Sequence, residues 1–305
     1  MTSTRKRMVV TGRQGQVVQS LLERGQNGLF EIITLGRPEL DLSRPDAIDA
    51  VLRAAEPDVI VSAAAYTAVD QAETDEEAAT VVNGVAAGKI AETAAALGVP
   101  MIHLSTDYVF DGSKLAPYVE TDPVAPIGAY GRSKLAGERA VTAANPNHVI
   151  LRTAWVYSPF GKNFLKTMLK LAESRDSLNV VNDQIGNPTS ALDIADAVLQ
   201  VAQNLLSSNA PDLRGIFHMT GTGECNWADF AFEIFALSKA HGGPHAAVTG
   251  IPSAQYPTPA KRPANSRLDC TLLNARHGVR LPDWRDSTAQ VIGRLLNHNH
   301  TDGQQ

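Results

Sequence analysis

Thr11-Gly12-Arg13-Gln14-Gly15-Gln16-Val17-Val18 follows directly on the short apolar run Met8 to Val10. A strand that enters a helix through a turn with two glycines can cradle a phosphate. Gly12 permits the tight turn and Gly15 lets a pyrophosphate approach the backbone; the first amides of the helix add unpaired donors at its positive dipole end. Gln14, Gln16 and Val17 border the same turn. Val18 stands where a third glycine would close the pattern, which bears on helix–strand closeness more than on phosphate contact. A plain βα turn is the alternative, but the strand before and the helix after supply the context that favours dinucleotide binding.

Outward from this turn the chain keeps a βαβ rhythm. Short apolar runs at Met8 to Val10, Ile32 to Leu35, Val59 to Val61, Met101 to Leu104 and Val149 to Leu151 read as strands. Between them Gln16 to Arg24, Pro45 to Ala54, Glu76 to Leu97 and Ala129 to Ala144 carry helix-period apolar positions and many alanines. Together they predict an α/β fold, a doubly wound parallel sheet of Rossmann type with helices on both faces. The alternation weakens after Pro159. A helix is expected around Phe164 to Ser174, a strand at Leu178 to Val181, a helix at Leu192 to Leu206 and a strand near Ile216 to Met219, with Gly/Pro/Ser-rich connections over Gly242 to Pro263. The expected division is a dinucleotide-binding domain at 1–158, with elements near 176–206 and 214–238 added to it. Residues 159–175 and 239–305 then form mainly a smaller, discontinuous C-terminal substrate lobe over the sheet's carboxyl edge.

The second strand ends in Leu35-Gly36-Arg37-Pro38, where an acidic residue would normally bind the ribose of NAD. An arginine tolerates a 2′-phosphate instead. Arg37, with Arg13 nearby, points to NADPH, with NADH as a second possible reductant. Asp41 and Leu42 either line an adenine or, for Asp41, sit near the next helix start. Ala63, Ala64 and Ala65 after the third strand are small enough for the middle of a dinucleotide to lie against the sheet edge.

The chain has 305 residues, 44% hydrophobic and 19% charged, with a net charge of -5. That is ample for a large core, and the acidic balance argues against nucleic-acid binding. Arg5-Lys6-Arg7 reads as a solvated lead-in to the first strand. The N-terminus lacks a signal-type h-region and no apolar run is long enough to span a bilayer, so no membrane partner is expected and the cytoplasm is the default compartment. Cys225 and Cys270 are far apart and His241 and His245 lie in a loop-like segment, so no metal site is expected. A homodimer is compatible with the sequence.

Tyr130 and Lys134 share one face of the expected helix Ala129 to Ala144, a phenol and an ammonium four residues apart. A neighbouring cation favours the phenolate and brings its proton exchange nearer to neutral pH. The fourth strand runs into Ser105-Thr106-Asp107, placing hydroxyls at a carboxyl end. Trp155 follows the fifth strand as a candidate packing face for a sugar or base, or as core filler. Gln184 and Asn187 lie in a polar loop as candidate substrate hydrogen-bonders. Arg262 offers a planar fork for a diphosphate, with a surface arginine as the alternative. Tyr108 and Phe110 read as core aromatics.

In combination, Gly12-x-x-Gly15-Gln16-Val17, Ala64-Ala65-Tyr66-Thr67-x-Val69-Asp70, Ser105 to Gly112, Tyr130-Gly131-x-x-Lys134, Arg152-Thr153-x-Trp155, Asp183-Gln184-x-Gly186-x-Pro188-Thr189 and Arg262-Pro263-x-Asn265-Ser266 resemble the extended short-chain dehydrogenase/reductases. More narrowly, they resemble the dTDP-4-dehydrorhamnose reductase family over nearly the whole chain. Val18 and Ser62 depart from that family's usual Gly and Asn. The resemblance implies hydride transfer from NADPH or NADH to the C4 ketone of a dTDP-4-keto-6-deoxy sugar. Tyr130 would supply the proton, Lys134 would depress the tyrosine pKa and bind the nicotinamide ribose, and Thr106, beside Asp107, would orient the carbonyl. A sister 4-epimerase, a 6-deoxytalose-forming reductase, or a non-catalytic regulatory subunit on the same fold are the alternatives.

Overall fold

Residues 5–26 and 28–301 are described by the computed structural model. The expected domain ends at 1–4 and 302–305 lie outside the described residues. In chain order the first half contains β1 (Lys6–Thr11), α1 (Gln16–Arg24), β2 (Phe30–Leu35), α2 (Ile48–Ala54), β3 (Val59–Ser62), α3 (Val69–Ala72), α4 (Glu76–Thr80), α5 (Ala86–Leu97), β4 (Met101–Thr106), α6 (Ala129–Ala144) and β5 (His148–Thr153). The second half contains β6 (Val156–Tyr157), α7 (Phe164–Ala172), β7 (Ser177–Val181), β8 (Ile185–Gly186), β9 (Thr189–Ser190), α8 (Ala191–Ser207), β10 (Gly215–His218), β11 (Cys225–Asn226), α9 (Trp227–Ala240), β12 (Ala247–Ile251), α10 (Thr271–His277) and α11 (Trp284–Thr301).

Met8, Val9 and Val10 are fully buried, because β1 lies inside a sheet covered on both faces. That parallel sheet has six strands in the order β2-β1-β3-β4-β5-β10. Strand alternation divides the core in two. Met8, Val10, Val59, Val61, Val149 and Leu151 face α1 and α8, where they meet Val18, Leu21, Ile194 and Val198. Val9, Ile60, Met101 and Ile150 face the other way, onto Ile48, Leu52 and Ile90 of α2 and α5. The chain first moves from β1 outward to β2 and then crosses back to β3. The carboxyl ends of β1 and β3 therefore border the switch point at which open α/β sheets bind ligands.

A separate apolar cluster joins Leu165, Leu178, Val180, Phe230, Ile234, Trp284 and Val291. It corrects the expected grouping of elements. α8 and β10 do pack with the large sheet, but β7 pairs in parallel with β12, and its inward Leu178 and Val180 join the cluster with α9 instead. The segment Gly242 to Pro263, expected to be connection only, thus contains a strand. Its short Ala-Val-Thr-Gly-Ile pattern gains a partner only through the distant β7.

The stretch 76–97 is not one uninterrupted helix. A π-helical turn at Val81–Val85 separates α4 from α5. It presents Asn83, whose Nδ2 donates to Tyr66 O and Ser133 Oγ while its Oδ1 accepts from Tyr66 N. A π turn at such a point commonly serves to aim a side chain at a site. Here it ties the loop after β3 to α6. Lys6 and Arg7 of the basic lead-in pair with Asp58, and with Glu31 and Glu56, rather than remaining free.

Candidate active site

Gly12 adopts φ 100, a conformation that L side chains rarely adopt, and its amide donates to Leu35 O. A Cβ there would meet Val18 Cγ2 at 3.3 Å. Val18, only 2% exposed, fills the slot beneath the turn, so helix and sheet stay close because the glycine yields from the opposite side. Gly15 is the N-cap of α1, extended and without a side-chain cap among the described residues. Its exposed edge and the first amides of α1 fit a pyrophosphate. Thr11 Oγ1 accepts from the amides of Ala63 and Ala64 at 3.1 Å each, fixing the small-residue strip beside the turn.

Several expected contacts are redistributed. The Gln16 carboxamide is occupied: Oε1 accepts from Ser158 Oγ and Asn163 Nδ2, both at 2.8 Å, so the side chain links the turn to the loop before α7 and leaves the backbone amide for the turn. Gln14 is exposed and Val17 is half-buried. Arg37 is exposed at the end of β2 and makes no ion pair among the described residues, whereas Arg13 pairs with Glu39 at 2.7 Å. Asp41 accepts from Ser43 N and Oγ, which holds its carboxyl below the usual range, and so takes the turn-forming role. Leu42 is core, buried with Ile48 and Leu52 rather than lining a surface, because its side chain points under α2.

At the mouth of β4 and α6 the chemical groups converge. Glu73 Oε1 accepts from Ala129 N and so supplies the helix start with an acceptor that its N-cap, Gly128, lacks. Tyr130 stands half-buried on the first turn, edge-on to Tyr108 at 5.5 Å. Burial, with the charge of Asp107, raises the Tyr130 pKa above the ordinary phenol range, and the neighbouring Thr106 hydroxyl offsets part of this. Lys134, expected to depress it, is not among the groups that shift it here. The Lys134 ammonium donates to Leu104 O at 2.6 Å and lies 3.4 Å from His103 Nε2, so its charge is spent toward β4. Lys134 is 2% exposed, and burial brings its pKa down to about 8.

Thr106 Oγ1 donates to Asp107 Oδ1 at 3.0 Å and accepts from Tyr108 N. Asp107 is buried, which pushes its carboxyl up to about 6, and Oδ2 has no partner among the described residues. Beyond Tyr108 opens a cleft of about 760 Å³. Arg262 borders it, with Nη2 on Asp70 Oδ2 at 2.8 Å and Nη1 toward Tyr108 Oη at 3.3 Å. Tyr108 therefore lines the cleft instead of the core; Phe110 is the core aromatic, stacked on Tyr118.

Trp155 takes φ 49 and stacks on Trp227 at 3.5 Å, both rings forming one wall of the cleft. Gly186 makes this possible, since a Cβ there would come within 2.5 Å of the Trp155 ring. Gln184 borders the same wall: it accepts from Trp227 Nε1 and donates to Ser253 Oγ. Asn187 does not. It is buried, with Nδ2 on Gly223 O and Oδ1 accepting from Leu268 N, and it serves as a loop staple because both ends of its amide are satisfied internally. Nothing in the sequence marks Asn83, Trp227 or Tyr256 as neighbours of this site, because each arrives there only through long-range packing.

The arrangement can do one kind of chemistry well. A dinucleotide turn, a protonated phenol, a buried amine, a strand-end hydroxyl and a cleft with a guanidinium suit proton-coupled reduction of a carbonyl carried on an anionic substrate. Among the described residues no group of three or more His, Cys, Asp or Glu could hold a metal ion, and no helix is long and apolar enough to cross a membrane.

Comparison with known proteins points the same way. Residues 6–297 match the family model described as the RmlD substrate binding domain. A dTDP-4-dehydrorhamnose reductase of Sinorhizobium fredii is 53% identical over 290 residues, covering 95% of this chain and 98% of that protein. Among solved structures, a dTDP-4-dehydrorhamnose reductase from Clostridium acetobutylicum superposes with a TM-score of 0.88 at 36% identity, over 95% of this chain and 99% of that one. One from Bacillus anthracis in complex with NADP gives 0.89 at 30% identity, over 95% and 100%.

Proposed function

The chain belongs to the dTDP-4-dehydrorhamnose reductase family, and on that footing we propose that it reduces the C4 ketone of dTDP-4-dehydro-L-rhamnose to dTDP-L-rhamnose with NADPH as reductant. One arrangement supports the reading: Tyr130 stands on the first turn of α6 beside the Thr106 hydroxyl and edge-on to Tyr108 of the Arg262 cleft, with Lys134 one turn farther along the same helix. When bound, the reduced nicotinamide supplies hydride. The amides at Gly15, Gln16 and Val17 would hold the pyrophosphate, with Gly12 and Ala63 to Ala65 lying along it.

Tyr130 gives its proton to the sugar oxygen. It is protonated at neutral pH and so can donate as negative charge develops on that oxygen. Thr106 presents its hydroxyl to the same oxygen, and Lys134, anchored on Leu104 O, would use its remaining donors to hold the nicotinamide ribose. Arg262 turns its fork from Asp70 to the diphosphate, while Trp155 and Trp227 form the wall against which the sugar rests. The enzyme works in the cytoplasm, where reduced nicotinamide is supplied.

The purified protein, given dTDP-4-dehydro-L-rhamnose and NADPH, should lose nicotinamide absorbance and yield dTDP-L-rhamnose, identified by its C4 configuration. Absence of oxidation, or a talose product, refutes the proposal. Arg37→Ala should raise the KM for NADPH roughly tenfold, the worth of one charge-assisted phosphate contact, and leave that for NADH nearly unchanged. Equal effects on both would exclude a 2′-phosphate contact.

A further inference from the structure

Glu138 lies one turn beyond Lys134 and two beyond Tyr130 on α6, so the three side chains descend one face. It does not border the cleft and is 2% exposed. Ser105 Oγ donates to its Oε1 at 2.6 Å; Arg152 donates through Nε to Oε1 at 2.9 Å and through Nη2 to Oε2 at 2.7 Å. Ser105 and Arg152 face each other in register across β4 and β5, and the Arg152 guanidinium lies over the Phe110 ring at 5.0 Å. Ser105 immediately precedes Thr106. One carboxylate thus fastens the helix that carries Tyr130 and Lys134 to the strand that carries Thr106.

A buried ion pair is seldom the most stabilising way to fill such a space, since apolar groups of equal volume do as well. What apolar packing cannot supply is a forked, directional link together with a negative charge behind Lys134. We propose that Glu138 is a positioning residue for the reduction, setting Tyr130 and Lys134 against Thr106 through Ser105 and Arg152 and sustaining the Lys134 cation by its charge. The turnover part of this inference rests on the reduction proposed above; the electrostatic part does not.

The titratable and charged groups around Lys134 are Tyr130 and Glu138 on the same face of its own helix and His103 on β4, with His148 of β5 acting on His103 and Arg152 of β5 paired to Glu138. His103 and His148 are held below the usual imidazole range by burial, so both stay neutral where Lys134 titrates. Burial lowers Lys134 to about 8, and Glu138 opposes that shift. Removing the Glu138 charge therefore moves the loss of the Lys134 cation to lower pH, and removing the Arg152 charge, which leaves the carboxylate uncompensated, moves it higher.

The test uses Glu138→Gln, Glu138→Asp and Arg152→Gln in the full chain. Lys134 is titrated by NMR of its 13Cε signal, assigned through Lys134→Arg, and kcat/KM is followed against pH. Glu138→Gln should lower the Lys134 midpoint by about one unit and kcat/KM by at least about tenfold. Glu138→Asp, which keeps the charge, should restore the midpoint, and Arg152→Gln should raise it. A midpoint unmoved in all soluble variants, with only the melting temperature lowered, overturns the proposal. Should Glu138→Gln not fold, an unmoved midpoint in Arg152→Gln does so alone. If the wild-type protein reduces no dTDP sugar while the midpoints still shift, the electrostatic role stands and the proposed reaction falls.

Discussion

Tyr130→Phe is expected to lower kcat by roughly 10²- to 10⁴-fold while the Kd for NADPH changes little, because the variant loses one proton donor and no packing surface. The phenol is half-buried against the Tyr108 ring, and phenylalanine retains that edge contact. Because the Tyr130 pKa lies above the ordinary range, the donor remains protonated throughout neutral and mildly alkaline pH. An alkaline decline of turnover is therefore expected from Lys134, whose cation is half lost at about 8 and progressively lost above it. Stopped-flow turnover and cofactor fluorescence titration of the variant check both halves. A Tyr130→Phe enzyme with wild-type kcat would take tyrosine out of the proton step.

Gly131→Ala should be the most damaging small change near the site. A Cβ at this position would fall onto the Tyr108 carbonyl oxygen and crowd Pro126, both of them backbone or ring atoms with nowhere to go. α6 must then lift away from the segment after β4, carrying Tyr130 and Lys134 from Thr106. Overpacking of this kind costs about 3 kcal/mol, and a displacement near 1 Å costs on the order of 10²-fold in rate. Gly98→Ala gives the contrast. Gly98 caps α5 at φ 71 with nothing within 4 Å of its Cβ, so only about 1 kcal/mol of backbone strain is expected there, with kcat unaffected. Urea unfolding and kcat measured on both variants separate a clash that moves the site from strain that does not; equal kcat values would contradict this account of Gly131.

The sheet was legible because buried parallel strands write themselves as short Val/Ile/Leu runs, and the helices because alanine-rich segments repeat near every fourth position. Gln16 to Arg24 and Ala129 to Ala144 appear with the bounds that their patterns predict. The places of the Gly12 turn and of Tyr130, Lys134 and Thr106 in the fold were readable for a related reason: each is local in sequence or sits at a strand end. What sequence could not carry was long-range. β12 needs β7 as partner, and Asn187 differs from Gln184 only in which way the loop turns. The sign of the Tyr130 shift depends on burial and on the charge of Asp107, neither of which a four-residue spacing encodes.

The most direct test of the proposed reduction follows a label. dTDP-4-dehydro-L-rhamnose is incubated with the protein and NADPH carrying deuterium at the transferable position, and the product is read by NMR. Deuterium at C4 of dTDP-L-rhamnose, formed at a rate that collapses in Tyr130→Phe, is the predicted result. Unlabelled product, or label arriving equally fast without the Tyr130 hydroxyl, would contradict it.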